Sequence, residues 1–490
     1  MKIQSILLSV LVLLNLTACD NFLDITPTGK VIAETGDEYR ALLTYEYNNF
    51  TKDRYMTTLR TDEIVMDKSK SSSTDLDAYL DLWRWKDDNP SPTTSYFSWR
   101  SYYHAIYIAN YIIEHQNEIK EATRDEINQL VGEAYMMRAY NHFLLVNLYA
   151  EPYTHCNPRE TRGVPMLLKA DVNAVPRSSS VDSVYNQVIS DLEKAEMYLN
   201  VETWELGKNY RFNKVSPQAL RSRVYLYMGR WKDALNAAKI VLQSHNALEN
   251  LNSGTTLPNS FKSAENIVAL ERYSSNLYTV INMPSGSFIG LYRSGDQRRT
   301  KYFKRVTSST YSLLKGGSDD LACSFRTAEM YLTAAEASAR LNETETAISY
   351  LTPLLENRLN ASALQNTAEL MDNMSQEELI QEIMDERARE LAFEGHRWFD
   401  LRRWGMPSIT HTWNDSESSS STYRLEECDP LYTVPIPDEA LQANGIAARA
   451  LNSNNNDTEN VMLRRECYQG KVKGSGSAVY AVTIDVAHPR

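Results

Sequence analysis

The chain has 490 residues, 42% of them hydrophobic, which is ample for a large packed core and long enough for two or three domains. Its formal charge is −12 and its pI about 5.3, which argues against electrostatic binding to nucleic acid or to an anionic surface. Tyrosine is abundant, 30 against 11 Phe and 8 Trp, and a ring with a polar handle suits wet recognition surfaces as well as cores.

At the N-terminus, Lys2 precedes an apolar run from Ile3 to Leu14 that Leu16-Thr17-Ala18-Cys19 closes. A membrane span needs about 20 apolar residues; this run is broken by Gln4 and Ser5 and followed by Asp20 and Asn21. A basic start, a short apolar stretch and small residues directly before a Cys read as a lipoprotein signal. Residues 1–18 are therefore expected to be cleaved as a signal peptide. Cys19 is expected to carry the lipid anchor, acylated on its thiol and its new amine. An ordinary secretory signal with a nearby Cys is the alternative. No later stretch is long and apolar enough to span, so the mature protein is expected to be soluble apart from its lipid.

Beyond it the periodicity is mostly helical. The stretch Thr61–Ser98 is irregular and holds Trp83-Arg84-Trp85-Lys86-Asp87-Asp88-Asn89-Pro90. Helices are predicted over Ile127–Leu148 and Val181–Leu199, each with an apolar face. Ser216–Gln243 reads as a tetratricopeptide-type helix hairpin, with Ser216-Pro217 at its start and a turn at Met228-Gly229-Arg230. Thr327 to about Leu359 reads as a second, with a turn near Leu341-Asn342 and a Pro353 that should kink or shorten its second helix. Equivalent positions 234 and 347 lie 113 residues apart by subtraction, whereas a continuous array repeats about every 34. The insert 244–325, rich in Ser, Asn, Gly and Tyr, separates the two; long irregular insertions on a rigid scaffold are where binding usually resides. A helix over Ser375–Glu394 opens with a Ser375/Glu378 capping box and stops at Gly395. Asp415–Thr422 is Ser-rich and reads as a mobile loop. Strands are expected as short pieces only, such as Tyr432–Ile436 and Val479–Ile484.

Catalytic and metal signatures are missing. There is no GxGxxG, P-loop, HExxH or GxSxG, and no EF-hand-type loop. The four cysteines beyond Cys19 (Cys156, Cys323, Cys428 and Cys467) are widely spaced without CxxC, so zinc is not indicated. They allow three disulfide connectivities or none.

Several ordered motifs resemble the SusD/RagB-type outer-membrane lipoproteins of Bacteroidota nutrient-uptake systems. They are Cys19-Asp20-Asn21-Phe22-Leu23-Asp24 at the mature start, Trp99-Arg100-Ser101-Tyr102-Tyr103 with Ala109-Asn110, Glu133–Ala139, and Phe325–Leu332. The most specific is Arg387-Ala388-Arg389-Glu390-Leu391-Ala392-Phe393-Glu394-Gly395-His396-Arg397-Trp398-Phe399-Asp400-Leu401-Arg402-Arg403-Trp404, followed by Val434-Pro435-Ile436-Pro437. The likeness covers about 19–445, and the tail 452–490 stays unassigned. It implies a single mostly α domain, 19–490, with tetratricopeptide-like helix pairs on one side and a loop-rich ligand side on the other. It also implies a partner, a TonB-dependent (SusC-like) β-barrel, on which the protein sits as a lid while capturing oligosaccharide. No enzyme activity and no cofactor are implied. Relatives that capture peptides, of the RagB kind, and a ligand-free repeat scaffold are the competing readings.

The motif 387–404 reads as a structural ion network of Arg387, Arg389, Glu390, Glu394, Arg397, Asp400 and Arg402 with Trp398 packed beside it. Glu390 and Glu394 share a helix face, but with Arg residues around them they read as ion-pair partners rather than an acid/base pair. Sugar binding needs flat apolar faces for pyranose C–H surfaces and planar polar groups for hydroxyls. Trp83 and Trp85 meet the first need, Asp88 and Asn89 the second. If the Trp-x-Trp is strand-like, its rings point to opposite sides and one of them faces ligand. Family contacts from the insert point to Tyr278 and Tyr292, with Asp296 and Arg298 structural.

Overall fold

The structure, a computed structural model, describes residues 33–443 except 67, 69–72, 89, 172, 175–176, 273–281, 309, 316–320 and 417–418. Cys19, Asn89, Tyr278, Cys467, the expected strand Val479–Ile484 and the tail 452–490 therefore lie outside the described residues. Among those described, no helix is long and apolar enough to cross a membrane.

The chain is mostly helical. Helix α1 (Gly36–Asn48) starts at a Thr35/Glu38 capping box. Helices α2 (Ser73–Trp83) and α3 (Arg100–Glu114) follow. Helix α4 (Arg124–Tyr149), opened by a Thr123/Glu126 capping box, is buried from Gln129 to Tyr149. It is buried on every side, its polar members such as Glu133 and Arg138 held in ion pairs with Arg40 and Asp191, and α3 and α5 (Val181–Tyr198) pack against it. Two hairpins then stand side by side: α6 (Ser216–Tyr227) with α7 (Trp231–Ser244), and α8 (Thr327–Arg340) with α9 (Thr344–Glu356). The turns are the predicted ones, with Gly229 at φ +70° and Asn342 at φ +63°. Helices α7 and α8 pack directly on each other, so the insert leaves and re-enters without separating the repeats in space. Pro353 lies inside α9 and the helix stops within one turn of it, at Glu356, in line with a residue that removes an N–H donor and crowds the preceding turn. Helices α10 (Ala361–Met371), α11 (Gln376–Glu390) and α12 (Arg397–Arg403) follow, with α11 starting at the predicted Ser375/Glu378 box.

The strands are short antiparallel pairs. Within and beside the insert, β1 (Ile64–Met66) pairs with β2 (Asn282–Pro284), and Phe303–Arg305 pairs with Tyr311–Leu313. Two expectations change. The Ser-rich stretch is a β-hairpin, β3 (Ile409–Ser416) with β4 (Ser419–Leu425), because Ile409, His411 and Trp413 alternate inward with Leu425 closing the register. Conversely, 432–436 is no strand: Pro430 opens a 3₁₀ turn, and Pro435 and Pro437 each remove a ladder donor. No disulfide links Cys156, Cys323 and Cys428 to one another.

The motif 387–404 is the hub of the interior. Glu390 accepts from Arg298, Arg326 and Arg358 at 2.8 to 3.0 Å. Glu394 accepts from Arg326 and pairs with Lys315 Nζ at 2.6 Å. Arg387 donates to Asp400 at 2.8 Å, Arg389 to Glu386 at 2.8 Å, and Arg397 to Asp62 at 2.8 and 2.9 Å. Arg403 holds Glu336 with two bonds of 2.7 Å. Arg402 differs from the expectation: among the described residues its guanidinium pairs with no carboxylate but caps the Asn147 and Ala150 carbonyls at the end of α4, and burial lowers its pKa to about 10. Trp398 stacks on Tyr432 at 4.8 Å. Gly395, at φ +70°, brings its Cα so close to the Arg54 carbonyl oxygen that a Cβ there would lie 2.3 Å from it.

Candidate ligand-binding surface

The four-residue stretch Arg60-Thr61-Asp62-Glu63 joins the hub to the loops beside it. Asp62 pairs with Arg397, and Glu63 accepts the Phe393 N–H at 2.7 Å. Arg60 forms a two-bond pair with Asp87 at 2.7 and 2.8 Å and accepts the Trp85 indole N–H on its carbonyl at 3.1 Å. The Thr61 carbonyl oxygen lies 2.8 Å from His411 Nε2. Burial pushes the Glu63 carboxyl up to about 8.

Trp83 and Trp85 do not offer their faces to solvent. Trp83 is 0% and Trp85 2% exposed, and both stack on the His411 ring, at 4.5 and 4.2 Å. Trp413 and Tyr423 close on Trp83 edge-on, each at 6.1 Å. The strand geometry that would send the rings to opposite sides does not apply. Helix α2 ends at Trp83, and Trp85 turns into the left-handed region at φ +54°, so both rings close on one imidazole. Tyr292 is likewise buried at 3%; its hydroxyl donates to the Arg389 carbonyl at 2.8 Å, and its ring meets Phe288 and Phe303 edge-on. Asp296 and Arg298 form the expected structural pair, with Arg298 also bound to Glu386.

Trp85 fixes one end of the loop 84–98 through its indole bond and its stack on His411, and polar bonds fix the rest. Asp81 at the end of α2 accepts from Arg84 Nε at 2.8 Å, the Ser91 N–H at 2.7 Å and the Thr94 hydroxyl at 3.1 Å. Partial burial pushes the Asp81 carboxyl up, but the bonds from Ser91 and Arg84 outweigh it and keep the group below its usual range. The Ser95 N–H donates to the Ala78 carbonyl at 2.8 Å. Asp53 accepts from the Ser98 N–H, and the Tyr149 hydroxyl donates to the Ser98 carbonyl at 2.9 Å. Between these anchors Tyr96 stands 50% exposed. Asp88, one of the expected polar contacts, is exposed on the same loop. Arg84 lies over the half-buried Tyr423 ring of the hairpin, 6.0 Å from its centroid. Sequence spacing singles out the Trp pair; Tyr96 carries the same chemistry in the same Pro-containing loop, and only the anchoring pattern distinguishes which aromatic ring is left outside.

Comparison with known proteins gives a consistent picture. Residues 21–226 match the family model described as starch-binding, associating with outer membrane, and residues 230–472 match that of the SusD family. SusD-like protein P38 of Formosa agariphila is 24% identical, covering 82% of this chain and 92% of that protein. SusD-like protein P25 of the same organism is 21% identical over 73% and 79%. A SusD superfamily protein from Bacteroides fragilis superimposes with a TM-score of 0.70 at 22% identity, covering 85% of this chain and all of that one. One from Bacteroides thetaiotaomicron gives 0.69, also at 22%, over 84% and 98%. A SusD-like carbohydrate binding protein from Bacteroides vulgatus gives 0.61 at 18%, over 84% and 97%. The structures establish the fold, and the two family models between them account for the chain from residue 21 to residue 472: this protein belongs to the SusD/RagB-like family.

Proposed function

We propose that this protein is a glycan-binding lipoprotein of the outer-membrane surface, anchored through Cys19, that captures oligosaccharide and serves as the lid of a TonB-dependent β-barrel transporter. The observation that carries the binding half of this reading is the loop 84–98. It presents a half-exposed Tyr96 and an exposed Asp88 on backbone tied down from α2, α4 and Asp53, and a platform ordered before ligand arrives loses little entropy on binding. The family description and the carbohydrate-binding title of the Bacteroides vulgatus structure support sugar as the ligand class. On this reading the face of the paired helices would dock the barrel. The protein's part is binding and gating, without covalent chemistry.

The test is a glycan-array screen of the lipid-free protein from residue 21, with a peptide panel beside it. Saturable glycan binding is expected, and Tyr96→Ala should weaken it about tenfold, or ~1.4 kcal/mol, with no change in melting temperature. Binding to peptides alone would favour the peptide-capturing reading, and no binding at all would leave a scaffold. Co-purification of a large β-barrel in mild detergent tests the partner. Loss of surface labelling in Cys19→Ser tests the anchor.

A further inference from the structure

His411 stands between two carbonyl oxygens and two indoles. Its Nδ1 lies 2.8 Å from the Trp83 carbonyl oxygen and its Nε2 2.8 Å from that of Thr61. The planes of Trp83 and Trp85 lie 17° and 23° from its own. A neutral imidazole has one N–H and one lone pair. It can serve one of these oxygens only, and turns its lone pair toward the other. The imidazolium donates to both, and an indole face on each side attracts its charge.

We propose that His411 is held as the imidazolium at neutral pH, and that this buried cation is the clamp joining the ligand-bearing loop to the β3–β4 hairpin. The charge state stands on the geometry of the ring; only its consequence for binding rests on the function proposed above. The surrounding charges permit it. On the 60–63 stretch, Asp62 attracts the ring and Arg60 repels it, and these two are themselves paired with Arg397 and Asp87. At the end of α2, Asp81 is paired with Arg84; on the hairpin, Arg424 is paired with Glu426 at the surface. Glu63, next along the stretch, faces the Phe393 N–H. Burial is the largest effect and acts against the charge: with both carbonyls and Asp62 in its favour and Arg60 against, the ring is lowered to about 4; the indole faces are the further contribution on which the imidazolium rests. A histidine raised above its unfolded value, about 6.5, stabilises the fold fully below that value. The stabilisation is lost as pH rises through the folded value, so the clamp loosens on the alkaline side.

The experiment is nitrogen-15 NMR of the mature chain carrying Cys19→Ser, labelled at histidine, with His411→Gln identifying the signal among the eight histidines. Both ring nitrogens of His411 should bear protons at pH 7 and lose one only at higher pH. A bare nitrogen at pH 7 overturns the charge state. Neutron diffraction of the unsubstituted chain at pH 7 gives the same answer if His411→Gln does not fold. Proteolytic cutting in 84–98 should rise with the same midpoint as the NMR titration; cutting independent of pH overturns the clamp. Neither measurement uses a ligand, so failure here leaves the glycan reading standing, and an empty glycan array leaves the charge state standing.

Discussion

Single residues in this protein are constrained by what they touch inside. Gly395 combines a left-handed backbone with a carbonyl 2.3 Å from where a Cβ would sit, and backbone cannot step aside as a flexible side chain can. Gly395→Ala should therefore cost at least ~2 kcal/mol, read by chemical denaturation. Glu63 makes a different prediction. Its carboxyl, raised by burial to about 8 against an ordinary value of 4.5, favours the protonated form in the folded state. Its contribution is present below the ordinary value and declines as pH rises through about 8. Glu63→Gln keeps an acceptor for the Phe393 N–H without the charge. It should match the parent at pH 5 and exceed it at pH 8.5 by on the order of 2 kcal/mol, measured as the difference between melting curves. Trp83→Ala, once a candidate for lost sugar contact, should instead cost about 3–5 kcal/mol, because it opens a cavity in the core.

At the scale of elements, the helices were legible and the loops much less so. The Ser375/Glu378 capping box, a Pro after the first hairpin's opening serine, and a glycine turn are local signals, and they mark α6, α7 and the start of α11 within a residue or two; α4 begins three residues before the expected Ile127, and α11 ends four residues before the expected Glu394. The hairpin β3–β4 was not legible, because its inward residues Ile409, His411 and Trp413 are followed by serines that look the same in a loop as on a strand. The Trp pair was legible as unusual but not as buried. Its partner His411 is 328 residues from Trp83, and no local pattern announces a contact of that span. Ion pairs between elements carry the same long reach. Glu336 on α8 is held far below its usual range by Arg403, against the burial that would raise it. Arg403→Ala would remove both of its 2.7 Å bonds and leave that carboxylate only Arg340, at 3.1 Å, as an ion-pair partner, so it should cost about 3 kcal/mol; adding Glu336→Gln should restore part of it, which a double-mutant cycle measures.

For the whole molecule, the hub of 387–404 binds α4, α8, the insert and the segment 60–63 to one another, so unfolding should be a single transition by circular dichroism and fluorescence alike. Its pH dependence has two limbs. Glu329, Glu336, Glu386, Glu390 and Glu394 are all buried, yet their arginine partners hold them below the ordinary carboxylate value. Their contribution is full above about 4.5 and is lost as pH falls beneath it. Asp53 and Glu63 are raised, to about 7 and about 8, and act with the opposite sign. The melting temperature should therefore peak in mildly acidic buffer, near pH 5–6, and fall on both sides. A plateau from pH 4 to 9 would contradict this.

The stack of Trp83, His411 and Trp85 also decides how this protein could be re-engineered. The exposed residues of 84–98 look like a replaceable cassette, free to be exchanged for the loop of a relative with another appetite. They are not free, since the stem of that loop is interlocked with a hairpin more than three hundred residues downstream. A graft of 84–98 alone would import rims cut for a different plug. Only a transplant that carries the stem from Trp83 and the hairpin 409–425 together would bring a matched pair, and specificity should move between relatives as that two-part unit or not at all.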